Sequence, residues 1–256
     1  MPVSRQAAGT RPYRSGWRGL VARGTWALLL GAALAAGAAH AAGGGPPSEE
    51  ATTRSSRGSS AVQRSAPRAV APLAPPVVAV DPRRALGSAD ARVAVVEFAD
   101  YQCPYCRSFH LNALPRLKER YIDTGRVRFY YMDFPLAHHA HALGASVAAY
   151  CAGRQSRYWD MQQRLYAEQA HLGDALYTRL AAELGLDAER FEACRRSNEA
   201  RAAVERDLLE GRRLGVRGTP TFIVGRIVGG GVKVERMAFG VPTFETFAEE
   251  LELLLE

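Results

Sequence analysis

Several features that would point directly to a function are scarce in this 256-residue sequence. Net charge is missing where it would count. The first 90 residues hold 11 arginines and four acids and carry the whole formal charge of +7, while the 22 basic and 22 acidic residues that follow cancel. A basic face for nucleic acid has no source in the part built to fold, so no nucleic-acid partner is expected. Cysteines number only four, Cys103, Cys106, Cys151 and Cys194. A tetrahedral zinc site usually draws on two close pairs, and here only the first pair is close. The histidines of "HHAH" (His138, His139, His141) sit at the polar start of a helix and read as solvated side chains. Neither a metal nor a cofactor is expected, and there are no internal repeats.

Aromatics are almost absent from residues 46–88, a stretch of Pro, Ser, Ala and Arg that cannot bury enough apolar surface to offset its chain entropy. Ahead of it lie five scattered arginines, with no twin pair among them, and the run "GTWALLLGAALAAGAAHAAGGG". Its apolar centre has the length of a signal h-region, and Ala39–Ala41 offers small residues for cleavage. Residues 1–41 are therefore read as a signal peptide or an N-terminal anchor, residues 42–88 as a disordered linker, and residues 89–256 as the folded domain.

Within that domain, "VAVVEF" (Val93–Phe98) and "VRFYYM" (Val127–Met132) read as buried strands. Between them a helix runs from Cys103 to about Tyr121, with Pro115 as a kink. Helices follow near 138–152, 157–170, 174–185, 188–196 and 199–214, with Asp174, Asp187 and Asn198 as N-caps. "TPTFIVGRIV" and "VKVERMAF" form a hairpin around Gly229–Gly231, and Thr243–Leu254 makes a closing helix. A parallel crossover followed by a hairpin specifies an α/β fold: a mixed four-stranded sheet with helices on both faces and a helical insertion over about 136–214.

The close pair "CPYC" sits where strand gives way to helix. A sulfur at that position, Cys103, meets the unpaired N–H groups of the first turn and the positive end of the helix dipole, which favour thiolate over thiol. Pro104 suits the first turn because the N–H it lacks would be unpaired there. Cys106, one turn on, is expected to be the buried partner of an exposed Cys103. Glu97, a charge inside an apolar strand, is costly unless it has work to do. It is placed to exchange a proton with Cys106, directly or through water, the alternative being an edge or salt-bridged carboxylate. Pro220, between two threonines at the head of a strand, suits a cis peptide bond that leaves the backbone of Thr219 free to pair with an extended peptide.

The segments "VVEFADYQCPYCRSFH", "DFPLAHHAHALGASVAAYCAG", "YWDMQQRLY", "FEACRRS" and "GTPTFIVG" occur in this order. Together they resemble the DsbA-like branch of the thioredoxin superfamily, the exported thiol–disulfide oxidoreductases of bacteria, over about residues 90–255. The resemblance implies a thioredoxin fold, Cys103 as nucleophile, Cys106 as its buried partner, Glu97 as the buried acid and Pro220 as the cis-proline. It implies substrate contacts at Thr219, Pro220 and Tyr105. The partners implied are reduced or unfolded exported proteins and a membrane quinone-linked reoxidase, and the setting is periplasmic or otherwise extracytoplasmic. A monomer is expected.

A dithiol oxidase is the favoured activity. Pro104–Tyr105 is not the Pro–His of the best-known oxidases, and Thr219 also resembles the isomerase type. Reductase, isomerase and a non-catalytic tethered binding module therefore stay open. Family members with cysteines at the positions of Cys151 and Cys194 look able to bridge them; the alternative is two free, buried thiols.

Overall fold

The computed structural model of the chain describes residues 75–256. The expected signal or anchor, and the expected linker up to residue 74, lie outside the described residues. Six strands make one mixed sheet: β1 (Val77–Ala79), β2 (Ala85–Leu86), β3 (Val93–Ala99), β4 (Val127–Asp133), β5 (Thr221–Val228) and β6 (Gly231–Phe239). Their order is β1-β6-β5-β3-β4-β2. β3 and β4 run parallel, and every other pairing is antiparallel.

The inner four strands are the thioredoxin sheet anticipated from the sequence. The outer two correct the expected boundary at residue 88, because residues 75–88 are part of the domain. Val78 is fully buried, and β1 approaches β6 so closely that a Cβ on Gly231 would lie 2.7 Å from the Val78 carbonyl oxygen. The edge of β1 is covered by side chains from a later helix. The Ala79 N–H donates to Glu210 Oε1 at 3.0 Å, and Arg213 Nη2 donates to the Val77 carbonyl at 2.8 Å, which leaves little edge for another strand to pair with.

Arg84 ties this segment to the rest. Its Nη1 lies 3.0 Å from Asp133 Oδ2 and 2.5 Å from Asp207 Oδ2, and its Nη2 lies 2.8 Å from Asp207 Oδ1, with all three residues buried. Strand pairing and this ion cluster order residues 75–88, and neither registers in a composition count.

After β3 a helical run covers 104–122. It comprises α1 (Pro104–Ser108) and α2 (Leu114–Leu117), with widened π-type turns at Phe109–Ala113 and Lys118–Ile122. Pro115 follows the first widened turn, in which the Leu114 N–H donates to the Phe109 carbonyl, and that turn accommodates its ring without a break. The insertion supplies α3 (Ala142–Gly153), α4 (Tyr158–Ala167), α5 (Asp174–Glu183), α6 (Ala188–Arg195) and α7 (Asn198–Arg213), and α8 (Phe244–Leu255) closes the chain.

Asp187 caps α6 by accepting from the Arg190 N–H. For α7 the cap is Ser197, not Asn198, and for α5 the cap position is Gly173, with Asp174 already inside the helix. Helix α3 starts four residues later than expected. Residues 135–141 are held as turns because Asp100 Oδ2 accepts from the Leu136 N–H at 2.8 Å and pairs with His139 Nδ1 at 2.8 Å. His139 is thus a bonded side chain and not a solvated one, while His138 and His141 are exposed.

Alternation along β3 divides the core. Val93, Val95 and Ala99 pack with α1, α2, the insertion and α8, whereas Ala94, Val96 and Phe98 pack with Phe134, Val216 and the flank of α7. Cys151 at the end of α3 and Cys194 in α6 are joined by a disulfide, S–S 2.04 Å. It closes a loop of 43 residues inside the insertion, which on the chain-entropy view stabilises by about 4 kcal/mol.

Candidate active site

Cys103 is the N-cap of α1, with extended backbone at φ −73° and ψ 122°, and Cys106 lies in the first turn. Asp100 sets up this corner. Its backbone carbonyl accepts from the Cys103 N–H at 3.1 Å, and its Oδ1 accepts from the Gln102 N–H at 2.7 Å. The side chain of a cap residue sits over the first-turn N–H groups, which have no partner within the helix.

The thiol of Cys103 is accordingly acidic, held down to about 5. The largest cause is its hydrogen bond with Cys106, followed by burial acting against it, then by Thr219 and the backbone N–H groups of Cys106 and Tyr105. Cys106 moves the other way. Burial, the hydrogen bond to Cys103 and the negative charge of Glu97 push its thiol well above the ordinary value. The two sulfurs are not bonded to each other.

One expectation is corrected. Cys103 is not an exposed sulfur: it is 3% accessible, and Cys106 is fully buried. The cover comes from two directions. In the thiol form Cys103 Sγ donates to the Thr219 carbonyl at 3.3 Å. From the insertion, Gln169 Nε2 reaches the carbonyls of Tyr101 and Cys103 at 2.7 and 2.9 Å. The Thr219–Pro220 peptide is cis and places that carbonyl against the sulfur. Tyr105 stands outside, 67% exposed.

Glu97 on β3 is fully buried below the pair. Burial raises its pKa, and the neighbouring His110 opposes that rise. Its Oε2 lies 2.7 Å from His110 Nε2, whose Nδ1 lies 3.0 Å from Gln162 Nε2. Thus Cys103, Cys106, Glu97, Thr219, Pro220 and Tyr105 converge on one corner, and the Cys151–Cys194 bridge belongs to the insertion. Sequence reasoning passed over Asp100, His110, Gln162 and Gln169. His110 had a signal, since it follows Cys106 by four residues on a helix and so shares its face. The two glutamines come from α4 and the turn after it, and no local pattern singles them out. Among the described residues no cluster suits a metal ion.

The acidity of Cys103 has a consequence for stability in the reduced protein. Its folded pKa of about 5 lies below the unfolded value of about 8.5. Its contribution is therefore fully present above the unfolded value and is lost as pH falls through about 5. The oxidised protein has no such group. Calorimetry of both forms should show the reduced form gaining on the oxidised one as pH rises from about 5 to 8. A difference independent of pH would mean that Cys103 is not acidic.

A helix-start dithiol with an acidic outer sulfur, a neutral inner one and a cis-proline carbonyl against it, on a thioredoxin-type sheet, defines a thiol–disulfide oxidoreductase. The comparisons narrow the class. A sequence model of the thioredoxin family matches residues 80–238, and the chain belongs to that family, within its DsbA-like branch. It is 33% identical over 150 residues to the probable disulfide bond formation protein D of Bacillus anthracis, covering 56% of this chain and 69% of that one. Among solved structures it is similar to alpha-DsbA1 of Wolbachia pipientis, at 26% identity and TM-score 0.58, over 67% of this chain and 90% of that one. Oxidised BdbD of Bacillus subtilis shares the fold at 23% identity and TM-score 0.59, over 70% and 98% of the two chains.

Proposed function

We propose that the chain is an exported dithiol oxidase that introduces disulfides into reduced or unfolded extracytoplasmic proteins through Cys103 and Cys106. The observation that carries the direction is the opposite displacement of the two thiols, one down to about 5 and the other up. A stabilised thiolate favours the reduced enzyme, so the disulfide form passes its oxidising equivalents outward.

In the reaction a substrate thiolate attacks Cys103 Sγ of the Cys103–Cys106 disulfide. Cys106 leaves and takes a proton from Glu97. The second substrate thiolate attacks the substrate sulfur of the mixed disulfide, and Cys103 leaves as the thiolate. Two electrons pass from substrate to enzyme. Both thiol protons of the substrate go to solvent, and Glu97 stays ionised in the reduced enzyme until Cys106 returns the proton on reoxidation. The cis Thr219–Pro220 backbone and exposed Tyr105 hold the substrate chain.

A quinone-linked membrane partner reoxidises the pair, and the protein acts as a monomer. Residues 1–41 act as a signal peptide or anchor, with the following residues as a tether. Among the described residues no helix is long and apolar enough to cross a membrane. Equilibration against glutathione buffers tests the direction. The reading expects a potential near about −120 mV, and a value near about −270 mV would replace it with a reductase.

A further inference from the structure

The buried acid of the site has a partner of its own. His110 is 8% exposed, and its ring lies 4.3 Å from that of Tyr166 at an interplanar angle of 14°, which fixes the plane of the imidazole. Gln162 Nε2, an amide donor, points at Nδ1 from 3.0 Å. With Nδ1 accepting, Nε2 carries the ring proton and donates to Glu97 Oε2 at 2.7 Å. The other carboxylate oxygen, Oε1, is buried without a hydrogen-bond partner among the described residues. A buried carboxylate with one oxygen occupied and one vacant is costly unless the vacant one is used.

We propose that His110, with its tautomer held by Gln162, is a positioning residue that occupies Glu97 Oε2 and reserves Oε1 for the proton of Cys106. The inference rests on the proposed role of Glu97 and adds what makes that acid competent. When Cys106 attacks Cys103 Sγ in a mixed disulfide, the Cys106 S–H bond breaks. Its proton moves to Oε1, its sulfur bonds to Cys103, and the outgoing thiolate keeps the electron pair of the broken S–S bond. Glu97 accepts that proton only if it is ionised beforehand, and the His110 N–H is the donor that keeps it so against burial.

The other titratable groups around Glu97 and His110 are Cys103 and Cys106 from α1, Tyr131 from β4 and Tyr166 from α4. From β5 the residue in register with Glu97 is Phe222, which carries no charge. None of these is hydrogen-bonded to Glu97 among the described residues, so nothing substitutes for His110 when it is removed.

The test follows the collapse of a Cys103–glutathione mixed disulfide to the Cys103–Cys106 disulfide, by quenching and mass spectrometry across pH in the full chain. His110→Leu should move the midpoint of the pH profile up by about one unit and slow the step about tenfold at neutral pH. His110→Gln keeps an N–H near the Nε2 position and should restore the wild-type profile. Gln162→Leu frees the tautomer and should shift the profile in the same direction by less, which keeps the test available if His110→Leu does not fold.

The ionisation of Cys103, read by thiolate absorbance, should stay near its wild-type midpoint in all three variants. A wild-type profile in His110→Leu, or in Gln162→Leu where only that variant folds, overturns the positioning role. Glu97→Gln separates the two layers. If Glu97→Gln shifts the profile and His110→Leu does not, only this inference fails; if Glu97→Gln also leaves it unchanged, the role of the acid itself is wrong.

Discussion

Cys103→Ser should abolish catalysed oxidation of a reduced protein substrate, leaving only the uncatalysed background. The hydroxyl would occupy nearly the same space at the N-cap of α1, so the corner built by Asp100 and the first-turn N–H groups stays assembled. What disappears is the sulfur that those groups make acidic, held down to about 5. A serine oxygen neither ionises in this range nor forms a disulfide, so no mixed disulfide with substrate can arise.

The inner cysteine supplies the contrast. Cys106→Ser keeps the acidic Cys103 but removes the sulfur that resolves the intermediate, so mixed disulfides between Cys103 and substrate should accumulate on non-reducing gels. Oxidation at the wild-type rate by Cys103→Ser would move the chemistry away from this pair altogether.

Arg84→Ala is expected to be the most damaging change to stability, at about 3–5 kcal/mol. The guanidinium bridges Asp133 and Asp207, and no other cation is bonded to either carboxylate among the described residues. Removing it leaves two buried acids side by side, and the cost is the uncompensated charge more than the lost hydrogen bonds.

That makes the damage dependent on pH. Asp133 is already raised to about 7, chiefly by burial, with Arg84 opposing the rise. Without Arg84 it rises further. Over the range between its unfolded and folded values the native state then binds more protons than the unfolded one, and stability falls as pH rises. Urea unfolding should therefore show a larger loss at pH about 8 than at about 5. Arg84→Lys should recover part of it, since an ammonium supplies the charge without the planar fork that reaches both carboxylates. A loss under about 1 kcal/mol, or one that does not vary with pH, would mean the cluster contributes little net charge pairing.

Much of the fold was legible because it is written in local periodicity. The apolar run of β3, the helix spacing from Phe109 to Tyr121 and the glycine turn between β5 and β6 each report their own geometry. Residues 75–88 were misread because their order is borrowed. Val78 is buried by β6, and Arg84 is neutralised by acids 49 and 123 positions away. Composition counts a residue's own chemistry and never its partner's. His139 was misread as solvated for the same reason, since its partner Asp100 lies 39 positions earlier.

By itself the sequence determined the frame of the chemistry: a cysteine pair at the start of a helix, an acid in the strand before it, and a proline at the head of a later strand. Those are local statements, because strand alternation, helix termini and X–Pro geometry depend on neighbours in the chain. Only the tertiary structure decided that Cys103 lies under the Thr219 carbonyl and Gln169, and that Cys151 meets Cys194. It also decided that Glu97 is held through His110 by Gln162. Burial and hydrogen-bond partners are properties of packing, and for a buried ionisable group they decide which atom carries the proton.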